Sequence, residues 1–266
     1  PGPRAGPRRV VPSDSWPSLA AAVADAGHGT FIQVSAGHAE TLAATLVIDH
    51  NLCIEGPLEG SARIFGEEGI VVAAGRAKDA VFLRRLKLHI TGAPALVVAG
   101  ACTVEGCTIE GADVGVEVAA HAGSTVRVQG CLVRECRVGV SLAGGSEAVL
   151  DGTQLVGCAS ALVVTGLQIE EGWNQTLGSL ARAQFSRNGA DLVLRAWGVE
   201  AQPGLGGEVE VRGWPLEPGS CVARLGAGAA VLHFAGAQVN VAVFEEEGSE
   251  EPCEAGAERW RLCSEE

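Results

Sequence analysis

An internal repeat of about 22 residues is the feature that most constrains how this chain can fold. Residues 101–166 divide into three rows of 23, 22 and 21 residues, and equivalent positions carry similar side chains. The aligned sets are Gly106, Gly130 and Gly152; Ile109, Val133 and Leu155; Val116, Val140 and Leu162; and Val118, Leu142 and Val164. Self-similarity at a fixed short period is typical of stacked-repeat architectures, in which each repeat packs on its neighbours.

Within each row the apolar residues alternate with polar ones, as in Val126 and Val128 and again in Val138, Val140 and Leu142. Alternation over three to five residues predicts short strands. No helical segment of 10–15 residues separates these strands, which excludes a βαβ fold for the region. A coil of about 22 residues with two or three short strands, stacked in parallel on the next coil at about 4.8 Å, satisfies the pattern. The sequence therefore predicts an all-β parallel β-helix.

The composition agrees with this architecture. The chain contains 37 Gly among 266 residues, only 4% aromatic residues, and neither Met nor Tyr. A narrow coil interior favours small aliphatic side chains and Cys, and turns with positive φ favour Gly. Fainter rows extend the repeat, at 80–100, 181–198, 207–226 and 230–244.

The segment before the repeats predicts a cap for the open end of the coil. Ser13 or Ser15 can cap a short helix over Leu19–Ala26, which ends at Gly27 and Gly29. Short strands follow at Phe31–Val34, Leu46–Ile48 and Leu52–Ile54.

This opening resembles that of right-handed parallel β-helix proteins of the pectin-lyase-like superfamily. The matching pieces are Leu19–Ala26 for the helix, Gly27–Thr30 for the Gly-rich turn, Phe31–Val34 for a strand, Ala36–Glu40 for a "pGxYxE" element, and Leu46–Gly56 for the following strands. The resemblance covers about residues 13–244. It implies a right-handed coil and repeats like those of carbohydrate-binding proteins and sugar hydrolases. Similar repeats occur in certain F-box proteins, and in those proteins they serve as recognition modules.

In many such repeats an Asn occupies the inward turn position. Here Cys107, Cys131, Cys136 and Cys158 stand there instead. The predicted organisation is an extended arm at 1–12, a β-helix domain at 13–244 and an acidic tail at 245–266. The β-helix domain comprises a cap at 13–56, regular coils at 80–166, an insertion at 167–180 and further coils at 181–244.

The nine cysteines and the net charge of −13 limit the classes of partner and compartment. No pair of cysteines has the CxxC spacing of a zinc site, so neither a metal nor a cofactor is predicted. We interpret the cysteines of the repeats as buried reduced thiols, with disulfides as the alternative, which favours an intracellular or organellar protein over a secreted one. The acidic body argues against nucleic-acid binding. The absence of an uncharged run of 18 apolar residues argues against a membrane span.

A basic run offers the best candidate binding residues. Arg85, Lys87 and His89 alternate with Leu86 and Leu88, which predicts that the three basic residues share one face of a strand. That face could bind an anionic sugar or an acidic partner protein. The alternative is a surface strand whose charges oppose aggregation.

Two further candidates are an acidic column and an exposed aromatic residue. Glu105, Gln129 and Asp151 align on outward positions, with the two carboxylates two coils and so roughly 9–10 Å apart. This distance is near the upper limit for an inverting glycosidase, and solvated surface carboxylates are the alternative. Trp173 lies in the insertion at 167–180, where it could stack on a sugar, anchor a partner or pack over the coil edge.

The sequence contains no Asp-Asp pair and no Asn-Thr-Asp element of the kind used by polysaccharide-cleaving β-helix enzymes. We therefore expect a non-catalytic binding or scaffold module, either for protein–protein interaction or as a structural subunit of an assembly. The alternative is a carbohydrate-active protein, meaning a lyase or epimerase acting on a uronic-acid polysaccharide, or a sugar-binding relative.

Overall fold

A computed structural model describes most of the N-terminal two thirds of the chain and individual strands after it. The described residues are 6–73, 80–119, 124–143, 146–167, 183–188 and 190–196, with strands at 207–211, 221–225, 228–234, 237–238, 243–244 and 258–262. Within these ranges the protein is almost entirely β-structure with one short helix.

A strand β1 (Arg8–Val11) and the helix α1 (Leu19–Ala24) precede six coils of three strands each. The coil strands are β2 (Thr30–Val34), β3 (Ala39–Leu42), β4 (Leu46–Ile48), β5 (Leu52–Glu55), β6 (Ala62–Gly66), β7 (Ile70–Val72), β8 (Val81–Arg84), β9 (Leu86–Ile90), β10 (Leu96–Val98), β11 (Ala101–Glu105), β12 (Thr108–Glu110), β13 (Val114–Val118), β14 (Thr125–Gln129), β15 (Leu132–Arg134), β16 (Val138–Leu142), β17 (Glu147–Asp151), β18 (Gln154–Val156) and β19 (Ser160–Leu167). The later strands are β20 (Gln184–Ser186), β21 (Ala190–Ala196), β22 (Gly207–Val211), β23 (Cys221–Leu225), β24 (Gly228–Phe234), β25 (Ala237–Gln238), β26 (Val243–Phe244) and β27 (Glu258–Leu262).

Each coil contributes one strand to each of three sheets. Sheet A runs β1-β2-β5-β8-β11-β14-β17, sheet B runs β3-β6-β9-β12-β15-β18-β20, and sheet C runs from β4 through β7, β10, β13, β16 and β19 to β21. All these pairings are parallel, which confirms the predicted parallel β-helix. The structure shows that it has about six turns. Antiparallel pairing begins only where β22 joins β21.

The coil is about 24 residues long, slightly more than the 22 of the aligned rows. Thr125 pairs with Ala101 and Glu147, 24 and 22 positions away, but Cys53 pairs with Phe82, 29 positions away. Turns of unequal length between the strands account for this variation. The first coil already begins at Thr30, so the segment 13–56 supplies the helix and one complete coil.

The interior consists of stacked aliphatic ladders that the alternation predicts. All members of these ladders are buried, and successive members of one ladder are Cα partners on neighbouring strands. The ladders are Ile32, Ile54, Leu83, Val104, Val128 and Leu150 in sheet A; Ile64, Leu88, Ile109, Val133 and Leu155 in sheet B; and Ile70, Leu96, Val116, Val140 and Leu162 in sheet C. This burial is the main favourable contribution to folding of the coil.

The helix α1 differs in detail from its prediction. Its cap is Ser18, whose Oγ accepts the backbone N–H of Ala21, because Ser18 directly precedes Leu19 in an extended conformation. Ser13, one of the predicted caps, instead accepts the N–H of Trp16 at 3.1 Å. The helix ends at Ala24, two residues earlier than predicted, and buries Leu19.

The turn between sheets A and B needs a left-handed backbone in every regular coil. Gly106, Gly130 and Gly152 occupy this position with φ between 57° and 60°. Arg85 occupies the same position one coil earlier with φ 52°, a conformation that is uncommon for a residue other than Gly. The chain therefore bends at Arg85 from sheet A into sheet B and does not continue as one strand.

Two ladders of side chains that accept hydrogen bonds from the backbone line the inside of the turns. Cys107 Sγ accepts the N–H of Leu86, and Cys131 Sγ accepts the N–H of Cys107, both at 3.4 Å. In the second ladder Asn188 follows Cys136 and Cys158, and its Oδ1 accepts the N–H of Cys158 at 2.9 Å. The inward turn Asn of β-helix repeats thus has a counterpart at Asn188.

All six cysteines whose side chains the structure describes are buried and free, namely Cys53, Cys102, Cys107, Cys131, Cys136 and Cys158. The predicted burial of the repeat cysteines is confirmed. The side chains of Cys221, Cys253 and Cys263 lie outside the described residues.

Buried thiols predict a loss of stability at alkaline pH. Burial raises the pKa of Cys102 well above its usual range, whereas a thiol in the unfolded chain ionises near pH 8.5. As pH rises above that value the unfolded chain releases a proton that the folded chain keeps. The free energy of unfolding should therefore fall by about 1.4 kcal/mol per pH unit for this thiol. Urea unfolding at several pH values between neutral and alkaline measures this slope.

Cys102→Ala is the matched variant for this test. It should be less stable than the wild type at neutral pH, because it removes a buried group, but its stability should fall less steeply at alkaline pH. Parallel slopes for the two proteins would show that the ionisation of Cys102 is not linked to unfolding.

Candidate functional site

The structure separates the basic residues that the sequence places on one strand face. Lys87 and His89 lie in β9 and point outward, as predicted. Arg85 lies in the turn before β9, so the prediction of a single face is wrong for this residue. The physical reason is the left-handed backbone at Arg85, which directs its side chain to sheet A. Two distinct concave surfaces result.

The first surface is a groove of about 710 Å³ on sheet A, here called the Arg groove. Its principal residues are Arg8, Phe31, Gln33, Cys53, Glu55, Leu58, Arg84 and Arg85. Stacking of β1, β2, β5 and β8 brings these residues together from four separate strands and the turns that follow them.

Two of the three arginines of the groove, Arg84 and Arg85, are held by carboxylates from neighbouring coils. Arg85 forms an ion pair with Glu55, and Arg84 Nε lies 3.0 Å from Glu105 Oε2. The guanidinium of Arg84 also lies over the ring of Phe82, 5.3 Å from its centroid. The Nε of Arg85 is buried without a hydrogen-bond partner in the described part of the chain. The groove therefore contains two guanidinium groups whose orientations are set by neighbouring carboxylates.

Apolar groups form the rest of the groove. Leu58 follows Pro57 on the turn after β5, and 84% of its surface is exposed. Phe31 lies below the guanidinium of Arg8, which is 6.0 Å from the ring centroid. Burial raises the pKa of Cys53 despite the opposing charges of Arg84 and Arg85. The Cys53 thiol is therefore protonated near neutral pH and contributes apolar surface to the groove.

The second surface is a smaller cavity of about 270 Å³ on sheet B, here called the basic pocket. It is lined by Arg63, Phe65, Lys87, His89, Thr108, Glu110 and Arg134. Arg63, Lys87 and Thr108 are Cα partners along one outward column, and the other four form the adjacent column.

Glu110 organises one side of the basic pocket. Arg134 Nε donates to Glu110 Oε2 at 2.7 Å, and His89 Nδ1 lies 3.4 Å from Glu110 Oε1. Burial opposes ionisation of this carboxyl, but the hydrogen bonds and charges of Arg134 and His89 outweigh it and lower the pKa of Glu110. The ring of Phe65 packs edge-on against His89, with centroids 5.9 Å apart.

The acidic column forms as the alignment predicts. Glu105, Gln129 and Asp151 are successive Cα partners in sheet A and line a groove of about 640 Å³. Glu105 also contacts Arg84, which connects this column to the Arg groove. Trp173, the remaining candidate, lies outside the described residues.

Several site residues are absent from the sequence-based candidates, namely Glu55, Leu58, Arg63, Glu110 and Arg134. Glu110 and Arg134 occupy equivalent positions of the first two aligned rows, so reading the alignment for opposite charges would have found this pair. The same comparison of equivalent positions pairs Asp113 with Arg137, and Arg137 Nη2 donates to Asp113 Oδ2 at 2.9 Å. Glu55 gives no such signal, because a longer connection separates its coil from that of Arg84.

The described residues contain no group of three or more His, Cys, Asp or Glu arranged to hold a metal ion. No helix among them has the length and apolar character needed to span a bilayer. Comparison of the chain with protein-family models, curated proteins and solved structures finds no match.

Proposed function

We propose that this protein is a non-catalytic β-helix module that binds a segment of another protein through the Arg groove. The observation that carries the proposal is the pairing of an exposed apolar side chain, Leu58, with two oriented guanidinium groups in one large groove. Interfaces between proteins commonly combine an apolar anchor with Arg, and acidic residues of a partner complement the guanidinium groups.

The exposure of Leu58 supports a partner protein more than a small polar ligand. Leu58 has 84% of its surface exposed at the rim of the groove, so a chain that contacts the groove would remove apolar surface from water. Arg84 and Arg85 already have fixed orientations, so less side-chain entropy is lost when a carboxylate binds them.

The lowered pKa values of two outward carboxyl groups, Glu110 and Asp113, also favour a binding role over a catalytic one. A general acid needs a carboxyl whose pKa is raised toward neutrality. Glu110 and Asp113 have the opposite environment, because their arginine partners lower the pKa of each carboxyl. The alternative, a carbohydrate-active protein, draws support from the shared groove of Glu105 and Asp151, where a sugar chain could lie along the stacked coils.

We propose in addition that the coil is right-handed and that the chain belongs to the pectin-lyase-like superfamily. The supporting features are three parallel sheets with one strand per coil and a short helix ahead of the first coil. Right-handed crossovers are by far the commoner way to connect parallel strands.

The proposed binding surface can be tested with Leu58→Ser. Immobilised wild-type protein and the variant are incubated with cell extract, and bound proteins are quantified by mass spectrometry. A partner of the Arg groove should be retained about tenfold less by the variant, because an apolar anchor at the rim of the groove is lost. Val47→Ser is the matched control, since Val47 is also exposed, at 52%, but lies on sheet C.

Two outcomes contradict the proposal. Identical sets of bound proteins for the wild type and Leu58→Ser would show that the Arg groove is not the interface. Release of reducing ends or unsaturated products from polygalacturonate or alginate by the purified wild type would instead support the carbohydrate-active alternative.

A further inference from the structure

The geometry of the basic pocket points to a second binding site, for a phosphate monoester carried on a peptide. Arg63, Lys87 and Thr108 would hold the phosphoryl oxygens, with His89 and Arg134 at the edge of the site. That the ester belongs to a partner protein rests on the proposed function, whereas binding of the phosphoryl group depends only on the pocket itself.

Two cations without ion-pair partners, Arg63 and Lys87, lie directly beside each other on neighbouring strands. Arg63 on β6 and Lys87 on β9 are direct Cα partners, so their Cα atoms lie on neighbouring strands about 4.8 Å apart. Like charges in directly opposed positions destabilise a sheet. Both side chains are exposed, and neither forms an ion pair with any residue in the described ranges. A bound anion would relieve this repulsion.

The one acidic residue that lines the pocket, Glu110, is already paired with other side chains. Glu110 is engaged by Arg134 at 2.7 Å and by His89 at 3.4 Å. It therefore orients these two side chains and leaves Arg63 and Lys87 without a counter-ion. The pocket contains three permanent cations and one carboxylate, an excess of positive charge in a protein whose net charge is −13.

The charge of the pocket fits a phosphoryl group better than a single carboxylate. A phosphate monoester carries close to two negative charges and three acceptor oxygens near neutral pH. Arg63 and Lys87 supply two positive charges, and Thr108, the Cα partner of Lys87, supplies a hydroxyl in the same column. A carboxylate would neutralise only one of the two cations. Clusters of basic residues are a common means of recognising phosphorylated segments.

The test measures binding of a defined probe to the full chain by isothermal titration calorimetry. The probe is the peptide Gly-Ala-Ala-phosphoserine-Ala-Ala-Gly, compared with its unphosphorylated form. We expect the phosphopeptide to bind at least about tenfold more tightly, and inorganic phosphate to compete with it. Arg63→Gln and Lys87→Gln should each weaken binding about tenfold, because each removes a charged hydrogen-bond donor.

Arg127→Gln is the matched control, since Arg127 is an exposed arginine of β14 on sheet A and should leave phosphopeptide binding unchanged. Because the replaced side chains are exposed, thermal unfolding of Lys87→Gln should show no loss of stability, and removal of the opposed charge should raise Tm slightly. Added phosphate should raise the Tm of the wild type more than that of Lys87→Gln.

Equal affinity for the two peptides, or unchanged phosphopeptide affinity in both pocket variants, would overturn the inference. Tighter binding of trigalacturonate than of the phosphopeptide, lost in Arg63→Gln, would overturn it in favour of a uronate site. Leu58→Ser should bind the phosphopeptide as the wild type does. A failure of the Arg groove and a failure of the basic pocket are therefore distinguishable.

Discussion

Replacing Leu83 with Ala is expected to lower the free energy of unfolding by about 3 kcal/mol. Leu83 has no exposed surface and stacks between Ile54 and Val104 in the inner ladder of sheet A. The substitution removes buried apolar surface and leaves a cavity that the neighbouring coils cannot fill, because their positions are set by backbone hydrogen bonds between strands. Urea unfolding monitored by far-ultraviolet circular dichroism measures the change.

Leu58→Ala provides the control of identical chemistry. Leu58 is 84% exposed on the turn after β5, so its truncation should change the free energy of unfolding by no more than about 0.5 kcal/mol. Equal effects of the two Leu→Ala substitutions would show that the inner ladder is not assembled as described.

Replacing Gly139 with Ala is expected to destabilise the coil by about 3 kcal/mol through overpacking. A Cβ atom at this position would lie 2.5 Å from the backbone oxygen of Ala161 and 2.9 Å from Cδ2 of Leu155. The backbone oxygen belongs to the next coil and cannot rotate away as a side chain could. The methyl group therefore has to be accommodated by separating two hydrogen-bonded coils.

Gly130→Ala separates this steric effect from the conformational effect of replacing a glycine. Gly130 adopts φ 57° in a turn, but no atom lies within 4 Å of its hypothetical Cβ. Its replacement should cost about 1 kcal/mol from the left-handed backbone alone. Thermal and urea unfolding of both variants should rank Gly139→Ala as clearly less stable. The reverse order would contradict the close approach of the two coils at Gly139.

Much of the fold can be predicted from the alternation and period of the sequence. The aligned positions Ile109, Val133 and Leu155 predict one inner ladder, and they form it. The turn position of Gly106 is likewise recognisable, because its equivalents are also Gly. These features are local or repeat regularly, so each row carries the information needed to place its own strands.

The candidate sites were harder to predict, because their residues come from different coils. Lys87 and His89 can be recognised from a single strand, but Arg63 lies one coil before them and Arg134 two coils after them. The alternation of basic and apolar residues predicts that Arg85 belongs to the same strand. The left-handed turn at this residue interrupts the strand and places Arg85 in the Arg groove.

The architecture of this protein follows from its repeat. Its period, its alternation and its small interior residues are compatible with stacked parallel coils, because only such stacking buries a narrow apolar face in every repeat. The tertiary structure alone decided which charged residues meet. Coils differ in length, so the partner of Arg85 is Glu55 across a long connection, whereas that of Arg134 is Glu110, 24 positions away. Contacts between coils depend on these cumulative lengths, and no single repeat contains them.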